Sequence, residues 1–304
     1  MGGAMGTGIK VVAVALVRNE ADILPAWLAH LATWADDVIL MDHGSDDGSH
    51  ALMQEAADKH GWTVWNVAVP GYHQEAFTTF AVHHAFAFGA DWVVPIDADE
   101  FVDDALRATL KKTEGAGLLQ WRACVPDDEW GHWWRAPIAG PQKKVAIPRS
   151  LWQSGRKLRL GNHVLLDDAG KEVAASVVGE MHHFPLRSLE QMRRKIVLGS
   201  ISLMARGDEY GEKNPWRVVL KLLSNGISDA DLISFASRYP TLRGPDMRCV
   251  THLRGNGWRR FSGPALTPMQ PLDPWKAVAS RLSSFEVRPC RALELHGVTL
   301  REVA

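Results

Sequence analysis

The first 123 residues alternate between apolar runs and helix-like segments, and this alternation limits the fold more than any other feature. Runs typical of buried strands cover residues 9–17, 38–41, 62–67, 92–96 and 117–123. Helices are predicted between them, near residues 23–31, 51–59, 77–88 and 104–112. Strands that alternate with helices favour parallel pairing and right-handed crossovers. The sequence therefore predicts a doubly wound, mostly parallel α/β sheet.

The alternation stops after residue 123. Residues 124–178 are rich in tryptophan, glycine and proline, which predicts short strands and long loops. Beyond Pro185, Ser188 is a candidate N-cap for a helix that runs to about residue 206. We expect a flexible leader over residues 1–8, a main domain over 9–185 and a helical C-terminal region over 186–304.

Composition excludes several classes of protein. The formal net charge is −1, whereas a nucleic-acid-binding protein usually has a basic excess. Three widely spaced cysteines fit neither a disulfide framework nor a Cys-x-x-Cys metal site, which favours a reducing, cytoplasmic location. No apolar run reaches the roughly 18 residues of a membrane span. A soluble protein is expected, with peripheral membrane association as an alternative.

Polar segments follow three of the predicted strands. They are Arg18-Asn19-Glu20, residues 42–49 and Asp97-Ala98-Asp99-Glu100. Ligands of doubly wound sheets bind outside the carboxyl ends of the strands. The three segments are therefore predicted to meet at one edge of the sheet.

Asp97 and Asp99 are two residues apart, so they point the same way if the strand conformation continues through them. Neighbouring carboxylates repel each other unless a cation lies between them. Their hard oxygen ligands suit Mg²⁺ or Mn²⁺, and such ions commonly share their coordination shell with phosphate oxygens. A solvated acidic turn is the alternative.

The segment of residues 42–49 is not a calcium-binding EF-hand loop. Counted from Asp42, the sixth residue is Asp47 and the twelfth is Met53, where that loop requires glycine and glutamate. Two interpretations stay open, and they are compatible. The segment is a polar turn that caps the next helix through Ser49 or Asp47, or it contacts a nucleotide.

Taken together, these motifs resemble those of family-2 glycosyltransferases with the GT-A fold. The resemblance rests on Arg18-Asn19-Glu20, Trp27 with His30, Asp42 to Gly48, and Asp97 to Phe101. It covers residues 9–123 well and reaches loosely to about residue 200.

The resemblance implies a nucleotide-sugar donor, most often a UDP- or GDP-sugar. It places Glu20 and Asp42 near the base and ribose, and a Mn²⁺ or Mg²⁺ ion on Asp97 and Asp99. His43 stands where many members carry a second acidic residue or asparagine, which leaves the choice of nucleotide open.

Further site residues are predicted in the second half of the chain. The resemblance implies that a histidine of the segment around residues 180–185 completes the metal shell. Of the adjacent histidines His182 and His183, only one can reach the metal if the segment is extended, and His182 is preferred. The complete predicted donor set is Arg18, Asn19, Glu20, Asp42, Ser45, Asp47, Lys144 and Lys195. On the acceptor side, Trp130 and Trp134 offer flat faces for sugar rings and Asp128 is a candidate general base. Gly161-Asn162-His163 resembles a segment of the same subgroup, which implies that His163 lines the site.

The sequence thus predicts a metal-dependent glycosyltransferase whose C-terminal region completes the acceptor side. The acceptor is a glycan, a lipid-linked molecule or a small molecule. A nucleotidyltransferase is one alternative, but it usually has a glycine-rich phosphate loop after the first strand, where this chain has Arg18-Asn19-Glu20-Ala21. A catalytically silent carbohydrate-binding protein with the same fold is the other.

Overall fold

The computed structural model describes residues 8–69, 71–127, 132–205, 220, 225–226, 228–238, 242–243, 248–249, 257–269, 294–295 and 298–299. The first half contains β1 (Val11–Val17), α1 (Leu24–Trp34), β2 (Asp37–Asp42), α2 (Ser49–His60), β3 (Thr63–Asn66), α3 (Gln74–Ala87), β4 (Trp92–Pro95), β5 (Glu100–Val102), α4 (Leu106–Leu110) and β6 (Ala116–Pro126). The second half contains β7 (Trp133–Arg135), β8 (Lys143–Pro148), β9 (Lys157–Leu158), β10 (Leu165–Leu166), β11 (Ala175–His183), α5 (Leu189–Met204), α6 (Asp229–Arg238), β12 (Leu242–Arg243), β13 (Arg248–Cys249), β14 (Arg259–Phe261), β15 (Glu294–Leu295) and β16 (Val298–Thr299).

One half of the main sheet is parallel, and we call it the parallel half. Its strands lie in the order β3-β2-β1-β4. Trp27 of α1 and Met53 of α2 belong to the core on one face of the sheet, while Phe77 and Phe86 of α3 belong to the core on the other face. Because both faces are covered, β1 is apolar almost throughout. The predicted doubly wound α/β architecture is confirmed.

The other six strands of the main sheet form the mixed half, namely β5, β6, β7, β8, β11 and β14. Among the described residues, β9 with β10, β12 with β13 and β15 with β16 form separate two-stranded sheets. Strand β8 pairs antiparallel with both β4 and β6, so it separates the fourth predicted strand from the fifth. Strand β6 pairs parallel with β11, and β11 pairs antiparallel with β5. Strands β7 and β14 extend the sheet beyond β6. Helix α4 has five residues and is shorter than the predicted helix.

Some described segments of the C-terminal region contact the main sheet, since β14 pairs with β7. Ser188 caps α5 as predicted, because its Oγ accepts a hydrogen bond from the Gln191 backbone N–H at 3.1 Å. Helices α5 and α6 share a small apolar core. The Thr267 N–H donates to the Asp22 carbonyl at 2.8 Å. No helix in the described ranges is long and apolar enough to cross a membrane. The division into three parts stays a prediction, and residues 1–7 of the leader lie outside the described residues.

Candidate functional site

A cavity of about 350 Å³ opens at the carboxyl ends of β1 and β4. Both strands end here because polar residues follow their apolar runs, as the sequence predicts. The cavity gathers predicted site residues from both halves of the sheet and from α5, namely Arg18, Asn19, Glu20, Asp97, Asp99, Lys144, His163 and Lys195.

The segment after β1 is held by the segment after β2. Backbone N–H groups of Asn19, Glu20 and Ala21 donate, in that order, to Ser45 Oγ at 3.1 Å, Ser49 Oγ at 2.9 Å and Asp47 Oδ2 at 3.0 Å. Asn19 adopts a positive φ of 54°, a conformation that asparagine tolerates better than most residues. Ser45 and Asp47 do not line the cavity. Their observed role is to shape the cavity wall.

Asp42 and His43 also lie behind this wall. Asp42 is buried, accepts the Ser45 N–H at 3.1 Å and lies 3.3 Å from His50 Nδ1. The His43 ring is buried, with Nε2 2.8 Å from the Val69 carbonyl, and burial lowers the pKa of His43. Helix α2 begins at Ser49 after Gly48, whose φ of 98° is left-handed. The N-cap position is therefore held by Gly48, and not by Ser49 or Asp47 as predicted, because the helix begins at the residue after Gly48.

Both carboxylate oxygens of Asp97 are engaged. Oδ1 accepts from Gln74 Nε2 at 2.8 Å, and Oδ2 accepts from Lys144 Nζ at 2.6 Å. Lys144 is fully buried and also lies 3.6 Å from Glu100 Oε1. Burial alone lowers the pKa of Lys144, but Asp97 and Glu100 outweigh it and raise that pKa above its usual value. Lys144 is therefore a charged ammonium that holds Asp97 in place.

Asp99 is buried beside two cationic groups and a histidine. Its Oδ2 accepts from Lys195 Nζ at 2.8 Å and lies 3.9 Å from Arg187 Nη1, and its Oδ1 lies 3.6 Å from His183 Nε2. Burial raises the pKa of Asp99, but Lys195, His183 and Arg187 outweigh burial and hold it well below its usual range. Asp99 is thus an ionised carboxylate with one oxygen facing His183.

Arg187 connects Glu20 and Asp22 to Asp99, and no local pattern distinguished it from the other basic residues. Its guanidinium donates to Asp22 twice, at 2.8 and 2.9 Å, and to Glu20 Oε2. It also donates to the Phe184 carbonyl at 3.0 Å. A buried arginine needs such partners, because an unpaired buried charge is costly.

The sequence predicted that His182 rather than His183 lies beside Asp97 and Asp99, and this placement is wrong. Successive residues of β11 point to opposite faces, and the His183 ring faces Asp99 while His182 Nε2 lies 3.2 Å from Arg135 Nη1. The Trp121 ring stacks on His183 with centroids 4.1 Å apart. Burial lowers the pKa of His183 to about 4, so its imidazole is neutral at pH 7.

The facing oxygen and nitrogen of Asp99 and His183 fit a divalent cation. A carboxylate and a neutral imidazole are both metal ligands, and Mg²⁺ often has only one or two protein ligands beside waters and phosphates. In the described ranges no group of three or more histidine, cysteine, aspartate or glutamate side chains is arranged to hold a metal. Phosphate oxygens and waters would have to complete the shell. Asp97 fits less well as a ligand, because Gln74 and Lys144 occupy its oxygens.

The predicted acceptor residues divide into three groups. His163 lines the cavity, and its ring meets the edge of Trp121 at a centroid distance of 5.6 Å. Trp134 is partly exposed on β7 and does not line the cavity. Asp128 and Trp130 lie outside the described residues.

Comparisons with known proteins give distant similarities. No family model matches the chain. A TPR repeat-containing protein of Synechococcus elongatus is 33% identical over 85 residues, which is 28% of this chain and 19% of that protein.

The structure is similar to S. aureus TarS, with a TM-score of 0.42, 12% identity and coverage of 73% of this chain and 45% of TarS. It is also similar to Mycobacterium tuberculosis glucosyl-3-phosphoglycerate synthase in complex with Mn²⁺, UDP-Glc and phosphoglyceric acid. For this synthase the TM-score is 0.37 and the identity 18%, and the match covers 73% of this chain and 82% of the synthase. The chain spans about a fifth of the curated relative and under half of TarS.

Proposed function

We propose that this protein is a metal-dependent glycosyltransferase that uses a nucleotide-sugar donor. The observation that carries the proposal is the pair formed by ionised Asp99 and neutral His183, beside Lys195, in a cavity at the carboxyl ends of β1 and β4. Doubly wound sheets bind nucleotides at this edge. Two of the motifs that resemble family-2 glycosyltransferases, Arg18-Asn19-Glu20 and Asp97 to Phe101, contribute residues to the lining of this cavity.

Asp99 and His183 would hold Mn²⁺ or Mg²⁺. The ion would supply positive charge to the departing diphosphate, which lowers the cost of breaking the sugar–phosphate bond. Lys195 fixes Asp99 through a hydrogen bond, and Lys144 does the same for Asp97. Preorganised charges of this kind need little rearrangement during the reaction.

The nucleoside would lie along the wall made by Arg18, Asn19 and Glu20. Arg18 Nη1 donates to Ser202 Oγ of α5 at 2.6 Å, so this wall is linked to the C-terminal region. Asp42 acts on the nucleoside only through the loop that it shapes, since it does not line the cavity. Asp128 as general base, the acceptor classes and the cytoplasmic location stay predictions.

Asp99→Asn is the variant that tests the proposal, with Asp58→Asn on the exposed part of α2 as its control. Both variants and the native protein are screened with UDP-, GDP-, CMP- and dTDP-sugars, with and without Mn²⁺, by thermal shift and donor hydrolysis. We expect a metal-dependent response to one donor class. The substitution at residue 99 should lower hydrolysis by about 100-fold or more, a range typical for loss of a catalytic electrostatic group, and Asp58→Asn should not change it.

The outcomes separate the competing functions. Absence of any metal-dependent response would exclude the glycosyltransferase. Metal-dependent binding without hydrolysis or transfer would favour the silent carbohydrate-binding protein. Release of pyrophosphate from a nucleoside triphosphate and a sugar phosphate would favour the nucleotidyltransferase.

A further inference from the structure

A second cavity, of about 510 Å³, lies on the opposite face of β11 from His183. Its lining includes Arg122, Arg135, Glu180, His182 and Arg259, which come from four strands of the mixed half. Most small-molecule sites have volumes between roughly 300 and 1,000 Å³. Nothing in the proposed glycosyltransferase reaction uses this cavity.

Two arginines face each other across a strand pair in this cavity. Arg259 of β14 is the direct cross-strand partner of Arg135 of β7. Like charges in directly opposite positions destabilise an antiparallel pair. In the described residues, neither guanidinium forms a salt bridge with a carboxylate. Arg135 instead contacts His182 Nε2 at 3.2 Å and lies 5.7 Å from the centroid of the Phe261 ring.

The other charged residues of the lining do not relieve this repulsion. Arg122 binds Glu180 with two hydrogen bonds of 2.7 Å and donates to the carbonyls of Ala136 and Pro137 at 3.0 and 2.6 Å. Glu180 is thereby neutralised by Arg122. Asp103, the remaining carboxylate of the lining, is exposed and forms no ion pair within the described part of the chain. With three arginines and two carboxylates, the lining has a formal surplus of one positive charge, and Arg135 and Arg259 are the arginines without a carboxylate partner among the described residues.

We propose that this cavity binds the phosphate group of a small phosphorylated molecule between Arg135 and Arg259. Guanidinium groups bind phosphate oxygens with strong charge-assisted hydrogen bonds, and an anion between the two arginines would turn their repulsion into attraction. The cavity is much larger than one phosphate ion, so the rest of the ligand would fill the remaining volume. This proposal does not depend on the glycosyltransferase reaction.

Arg259→Gln tests the site, because Arg259 is exposed and its replacement should not disturb folding. Arg260→Gln is the matched control. Arg260 is adjacent on β14, is also an arginine, and already has a carboxylate partner in Asp127 at 2.7 Å. The native protein and both variants are titrated by calorimetry with inorganic phosphate and, in a separate arm, with acetate, without added metal.

We expect phosphate to bind the native protein and Arg260→Gln with similar affinity. Loss of one charge-assisted contact should weaken binding to Arg259→Gln about tenfold. The proposal is overturned if phosphate does not bind the native protein at millimolar concentration, or if both variants weaken it equally. Acetate binding as tight as phosphate binding would overturn the assignment to phosphate.

Discussion

The parallel and mixed halves of the sheet contribute different chemistry to the candidate donor site. The parallel half supplies Asn19, Glu20 and Asp99 from the segments that follow β1 and β4. Lys144 and His183 come from the mixed half, and Lys195 comes from α5. The acidic and polar groups, together with Arg18, thus follow the strands of the parallel half, while Lys144, His183 and Lys195 come from the mixed half and α5.

This difference shows how the site is stabilised. The acidic groups by themselves would repel one another in a buried cavity. Arg187, Lys144 and Lys195 each reach across from outside the parallel half to an acidic partner. The order of the acidic site therefore depends on docking of the mixed half and α5. The following predictions test that dependence, from the largest expected effect to the smallest.

Arg187→Met should have the largest effect on folding. It leaves buried Asp22 and partly buried Glu20 without their cation, and breaking a buried ion pair from one side costs roughly 3–5 kcal/mol. Urea denaturation measures the free energy of unfolding. The control is Lys10→Met, since the pair of Lys10 with Asp37 is on the surface of the parallel half, where such pairs contribute about 1 kcal/mol or less. Equal losses in the two variants would contradict the proposed dependence.

His183→Ala should weaken Mn²⁺ binding in the presence of the donor nucleotide on the order of 10–100-fold, because it removes a proposed metal ligand. His182→Ala is the control on the same strand, and its side chain points to the opposite face. Titration of Mn²⁺ followed by electron paramagnetic resonance measures the free ion. If His182→Ala weakens Mn²⁺ binding more than His183→Ala does, the assignment of the two faces is wrong.

The contact between His30 and β5 should make stability depend on pH. His30 Nε2 accepts the Val102 N–H at 3.0 Å, and burial lowers the pKa of His30 to about 4. In the unfolded chain His30 is protonated below about pH 6.5, whereas in the folded protein it stays neutral down to about pH 4. Stability should therefore fall by about 1–3 kcal/mol as the pH decreases from about 6.5 to about 4.

His30→Gln keeps a hydrogen-bond acceptor but does not titrate. Urea denaturation at several pH values should therefore give a smaller slope of stability against pH for this variant than for the native protein. If the free energy of unfolding changes with pH by the same amount in both proteins, His30 does not cause the pH dependence of stability.

Ser188→Ala should have the smallest effect. It removes the side-chain cap of α5, and such losses typically cost about 1 kcal/mol. Ser188→Asp keeps an oxygen that accepts the Gln191 N–H and should retain most of the stability. Thermal denaturation measures both variants. No difference between them would mean that the cap contributes nothing to the docking of α5.

The successful predictions came from local patterns. The apolar runs predicted β1 to β4, and the polar segments after three strands were predicted to meet at one edge of the sheet. Arg18, Asn19, Glu20, Asp97 and Asp99 line one cavity there, whereas no residue of the segment 42–49 lines it. The position of β8 between β4 and β6 had no local signal, since a strand's partner is chosen by burial and pairing across the whole sheet. The choice between His182 and His183 depended on the face of β11 that meets Asp99.

The sequence by itself determined the parallel α/β half and the acidic residues at its edge, because strand and helix periods are properties of neighbouring residues. Only the tertiary structure decided which cations meet those acids. Lys144 reaches Asp97 across 47 residues, Lys195 reaches Asp99 across 96, and Arg187 reaches Asp22 across 165. Contacts at such separations are set by how strands pair and helices dock, and no periodicity in the chain encodes them.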